Sequence, residues 1–87
     1  MFYECRFDPA SPYAQLQAKL DGDDVMITIT PRGRAAITRH LPLTPEGLFR
    51  QSIARHLLAK LADVDGEVLE SCVDGIVAEF ANLLPER

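Results

Sequence analysis

Apolar and polar residues change period once along this chain. From Phe2 to Leu41 they alternate in steps of two, and from Leu48 onward they recur in steps of three and four. The first period belongs to strands with one buried face, the second to helices with one buried stripe. Tyr3, Cys5 and Phe7 share one face of a short opening strand, with Phe2, Glu4 and Arg6 on the other. Two prolines in Asp8–Pro12 then break the pattern into a loop. Between Tyr13 and Leu20, Ala14, Leu16, Ala18 and Leu20 alternate with Gln15, Gln17 and Lys19. Asp21-Gly22 is a tight-turn signal. The return strand, Val25 to Thr30, buries Val25, Ile27 and Ile29 and turns Met26, Thr28 and Thr30 away. After the turn Pro31–Arg34, the residues Ala35, Ile37 and Leu41 continue the inward file. Arg39 falls in that file and is expected to reach out at the sheet edge.

Thr44-Pro45-Glu46 opens a helix by its local chemistry: Thr44 as cap, Pro45 in the first turn, Glu46 at the positive end of the dipole. Phe49, Ile53, Leu57 and Leu61 form its apolar stripe, flanked by Ala54 and Leu58, with Gln51, Ser52, Arg55 and His56 outward. A second helix from Gly66 to Leu84 carries Leu69, Val73, Ile76, Phe80 and Leu83, widened by Cys72 and Val77. Asp63 or Asp65 caps it, Pro85 stops it, and Gly75 is expected to admit the first helix closely. The short link between the helices forces them antiparallel. The predicted fold is α+β, ββββαα: an antiparallel meander of three strands (four if the first joins) in residues 1–43, then a helical hairpin in 44–84 packed on one sheet face. All 87 residues form one domain.

Charge adds an asymmetry to this picture. Residues 1–31 carry net −3, residues 32–60 net +5 and residues 61–87 net −6, within an overall −4. A basic middle between acidic ends offers two faces of opposite sign to partners, or to each other. No apolar run approaches the length of about 20 residues that spans a membrane. The opening residues lack the basic and apolar regions of a signal peptide, so a cytoplasmic location is expected. Cys5 and Cys72 are then expected to be reduced core residues.

No catalytic motif, metal-ligand spacing or phosphate loop emerges, and neither cofactor nor metal is expected. Asp63-Val64-Asp65-Gly66 fails as a calcium loop, because setting Gly66 at position 6 places Leu61 at 1 and Cys72 at 12. A groove-reading helix-turn-helix also fails, since its second helix would carry Glu67, Glu70, Asp74 and Glu79 toward phosphates. Two binding faces remain. One is the acidic stripe Glu67, Glu70 and Asp74; the other is basic or sheet-borne, comprising Met26, Arg32, Arg34, Arg39 and Arg55. Met26 lies among threonines on the strand face turned from the helices, which suits partner docking or a homodimer by sheet stacking.

In size and plainness the chain resembles the small accessory proteins of phages and mobile elements, including inhibitors of host defence. That resemblance implies a non-catalytic protein-binding module, an inhibitor or regulator occupying a surface of a larger protein or complex. The alternative is a small nucleic-acid-binding regulator using the central arginines.

Overall fold

The computed structural model describes residues 1–85. Four strands, β1 (Phe2–Arg6), β2 (Tyr13–Asp21), β3 (Asp24–Pro31) and β4 (Ile37–Pro42), precede two helices, α1 (Glu46–Lys60) and α2 (Gly66–Phe80). The strands form one antiparallel sheet in the order β1-β2-β3-β4, so the opening strand does join the meander. Both helices pack on one face of it, with α2 over β1 and α1 toward β4. Between the layers lie Leu16, Ala18, Val25, Ile27 and Ile29 from the sheet. Phe49, Ile53 and Leu57 come from α1, and Leu69, Cys72, Val73, Ile76, Val77 and Phe80 from α2. The alternation seen in the sequence is thus the inside and outside of the sheet. Met26, Thr28 and Thr30 face away from the helices, and register places Phe2, Lys19, Met26 and His40 in one row of that open face.

A bulge between Tyr13 and Gln15 alters the phase at the start of β2. In strict alternation Tyr13 would share the open face with Gln15. The bulge instead sets it opposite Pro31, on the helix side. There its ring meets Phe7 edge-on, centroids 6.5 Å apart, and its hydroxyl donates to the Lys60 carbonyl at the end of α1. One extra residue therefore ties the sheet to the last turn of α1.

Local chemistry departs from expectation at several points. Pro45, not Thr44, occupies the N-cap of α1; the Thr44 hydroxyl is buried without a partner, and no side chain caps the helix. At α2 the expected cap forms, with Asp65 Oδ1 accepting from the Glu67 amide at 2.7 Å. That helix ends at Phe80 and tightens into a 3₁₀ turn over Ala81–Leu83, which leaves Leu83 exposed and Leu84 against the core. The inward file of β4 begins at Ile37 rather than Ala35, and only Leu41 of that strand is buried, because α1 covers just one end of it. Leu20, at the hairpin end of β2, is likewise exposed. The helix α1 is also rolled about its axis from the orientation its leucines suggest. His56 is buried while Leu58 faces solvent.

Gly75 admits a strand residue, not the first helix. A Cβ built there would fall well inside contact distance of the Tyr3 ring, which lies directly beneath α2. The missing side chain is what lets α2 settle onto β1. Gly75→Ala is therefore expected to destabilise the fold by about 1–3 kcal/mol as an overpacked site. In a double-mutant cycle with Tyr3→Ala the two effects should be non-additive. Chemical denaturation checks both, and an additive cycle would place the strain elsewhere.

Candidate functional site

The basic set singled out in the sequence is divided by the fold. Arg32 is occupied structurally: its Nε donates to the Ser11 carbonyl at 2.9 Å and its Nη2 to the Asp8 carbonyl at 3.3 Å, pinning the β1–β2 loop. Arg34 is exposed at the β3–β4 turn and lines a recess with Arg32, Tyr13, Ile37 and Asp63, a lining of mixed charge. Met26 lies half-buried on the open sheet face, one register step from the Thr28–Thr38 hydroxyl pair at 3.4 Å. Arg39 and Arg55 are brought together, since both line a recess of about 400 Å³ where β4 diverges from α1.

Position along each element explains that convergence. Arg39 pairs with Ile27 and so points to the helix side of an edge strand whose cover is incomplete. On α1, Ser52, His56 and Lys60 follow one another at intervals of four, and Arg55 and Ala59 lie beside them. This side of the helix faces β4, and all five residues line the recess with Arg39, His40, Leu41 and Pro42. Among the described residues its charged members are Arg39, Arg55 and Lys60, and no carboxylate is among them. His40 is held from outside by Asp21, with Nε2 and Oδ2 2.8 Å apart.

His56 is the anomalous member. Among the described residues it is the single buried polar or charged side chain of the core, 4% exposed, and neither ring nitrogen has a hydrogen-bond partner. A neutral imidazole always keeps one N–H to donate and one nitrogen to accept with. Leaving both buried and unpaired carries a desolvation cost. Burial pushes its pKa below the ordinary 6.5, and the charges of Arg39 and Lys60 push in the same direction. Burial and both charges thus favour the neutral ring.

The acidic stripe has a partner that the sequence did not suggest. Arg50 of α1 reaches across the hairpin, with Nη2 3.2 Å from Glu70 Oε1 and Nη1 2.6 Å from Asp74 Oδ1. Hydrogen bonding to Asp74 holds the guanidinium pKa above its usual value. All three side chains remain solvent-exposed, so screening keeps the cross-link weak. Glu67 makes no ion pair among the described residues. Beneath α2, Tyr3, Cys5 and Cys72 form a cluster; both thiols are free. Burial, reinforced by Cys5, pushes the Cys72 thiol up to about 12, and burial also raises the Tyr3 phenol. A thiol kept protonated in this way is a poor nucleophile.

No protein-family model, curated protein or solved structure gives a significant match to this chain. The site must be judged on its own chemistry. Among the described residues, no group of three or more His, Cys, Asp or Glu is arranged to hold a metal ion. No helix is long and apolar enough to cross a membrane. The sequence pattern places His56 and Ser52 on the outer face of α1 and so does not single out these residues or Lys60. Their four-residue spacing along the border of the apolar stripe was the available signal.

The buried imidazole has a consequence for pH. Its folded pKa is depressed, so the unfolded chain takes up a proton more readily. Its contribution to stability is present above pH 6.5 and is lost as pH falls through the lower folded value. Between pH 7 and 5, thermal unfolding of the native chain should therefore fall more steeply with pH than that of His56→Gln. Equal slopes would mean that the ring is already solvated.

Proposed function

We propose that this chain is a non-catalytic protein-binding module whose contact surface is the outward stripe of α1 and the cationic rim beside it. The observation that carries this reading is the placement of Leu48 and Leu58, 57% and 59% exposed. Single exposed leucines are ordinary on protein surfaces. These two lie on the same outward side of one helix, ten positions or about 15 Å apart, with Gln51 and Arg55 between them. The roll of α1 that buries His56 is also what exposes Leu58. Arginine is enriched at protein interfaces and here has an apolar side chain on either side, and the acceptor would be a surface of apolar pockets with acidic groups between them. Such a module acts by occupying a surface of a larger protein, as an inhibitor or regulator does. The acidic stripe is the weaker contact candidate, because Arg50 already engages Glu70 and Asp74.

A second reading, a small nucleic-acid-binding regulator, is favoured by the convergence of Arg39, Arg55 and Lys60. Against it, stacking platforms for single strands need aromatic rings beside the cations. Phe2 is the exposed phenylalanine here, and it lies on the open sheet face. The net charge of −4 also opposes phosphate binding over a broad area.

Capture from a lysate of the source cell, with and without nuclease, tests the two readings together. Immobilised wild type should retain a protein partner after nuclease treatment. Leu48→Gln/Leu58→Gln should retain at least tenfold less at unchanged thermal stability. Captured material that disappears with nuclease and follows Arg39→Gln/Arg55→Gln would replace the first reading with the second.

A further inference from the structure

The recess between β4 and α1 has a chemistry of its own, whether or not the outward stripe of α1 docks a protein. Its charged and titratable lining groups are Arg39 and His40 from β4, and Arg55, His56 and Lys60 from α1. Among the described residues no carboxylate lines it, and Asp21 is engaged with His40 from outside. Like charges gathered at one concavity repel, so the isolated fold gains nothing by placing them there. At the same place a buried imidazole has both nitrogens unpaired. Each observation alone has a structural explanation in packing or solvation. Together they describe a recess whose chemistry suits an anion.

We propose that this recess binds a phosphate monoester. Arg39 and Arg55 each present a planar fork of donors suited to a tetrahedral oxyanion, and Lys60 adds a compact charge. Ser52 and His56 also line the recess and add a hydroxyl and an imidazole N–H as neutral donors, the ring turning outward to reach the anion because both of its nitrogens are buried. A neutral imidazole donates to an oxyanion through whichever nitrogen carries the proton, so the site requires no protonation of His56. A dianion matches the local excess of cations better than a carboxylate or a phosphodiester, each of which carries one charge. The volume, about 400 Å³, lies within the range of small-ligand pockets and exceeds what a bare phosphate fills. Leu41, Pro42 and Ala59 supply an apolar wall for the organic part of the ester.

Titration of the full chain with phenyl phosphate, followed by amide resonances at constant ionic strength, tests the proposal. Saturable shifts confined to residues 39–42 and 52–60 are expected. Inorganic phosphate should produce the same pattern more weakly, and acetate should not saturate. Arg55→Gln, an exposed substitution with no packing role, should weaken phenyl phosphate binding at least tenfold, and Arg39→Gln likewise. A short oligodeoxynucleotide separates the diester source: if it saturates the recess more tightly than phenyl phosphate, the monoester assignment is wrong. Shifts that grow linearly, spread over Arg32 and Arg34, or persist unchanged in both arginine variants would overturn the site altogether. His56→Gln keeps an N–H donor and should retain binding within a few-fold. His56→Leu should lose it, provided its denaturation profile shows that it folds.

Discussion

The seating of α2 on the first strand is the constraint from which the rest of this molecule follows. Six of its side chains, from Leu69 to Phe80, are buried, and Gly75 leaves the space into which Tyr3 fits. With α2 placed over β1, the link at residues 61–65 returns α1 alongside it toward β4. A single helix covers only part of a strand pair, so the far edge of the sheet stays open. The exposure of Ile37 and Arg39, the recess beside Arg39 and the half-covered flank of α1 are consequences of how two helices tile four strands.

Secondary contacts fix the orientation of α1 within that frame. Tyr13, turned inward by the bulge, holds the last turn of the helix through the Lys60 carbonyl, and Arg50 ties its first half to α2. These attachments accompany a roll that buries His56 and exposes Leu58. Burying an unpaired imidazole while leaving a leucine in water is opposite to what solvation alone would select. The proposed binding roles would account for both departures, the leucine as an anchor and the imidazole as a donor.

The fold was legible in the sequence because both of its periods are nearly uninterrupted. Leu16, Ala18, Val25, Ile27 and Ile29 give the sheet its inner face, and Leu69 to Phe80 give α2 its stripe. Features that depend on tertiary placement were not legible. One inserted residue at Ala14 reverses Tyr13, and no local signal marks it. Gly75 was recognisable as a close approach, but its partner depended on which element α2 would cover. The face assigned to His56 was wrong because Leu57, Leu58 and Leu61 suggest a buried arc centred on the other side of α1. Of the basic residues, Arg39 and Arg55 stand out in the sequence by charge alone; their convergence requires β4 to be an edge strand and α1 to stop short of covering it. The pairing of Arg50 with Glu70 and Asp74 depended similarly on the lateral placement of the hairpin.

The central claim is that His56 is a buried, neutral, unpartnered ring within a cationic recess. The direct measurement is the titration of its carbon-bound ring protons by NMR in the ligand-free chain, with His56→Gln identifying the resonance. A midpoint clearly below 6.5 is expected, falling with burial and with the charges of Arg39 and Lys60. It should move upward in Arg39→Gln, where one of those charges is gone. A midpoint at or above 6.5, unaffected by that substitution, would contradict the account, because the ring would then be hydrated or paired and the recess would hold no unsatisfied donor.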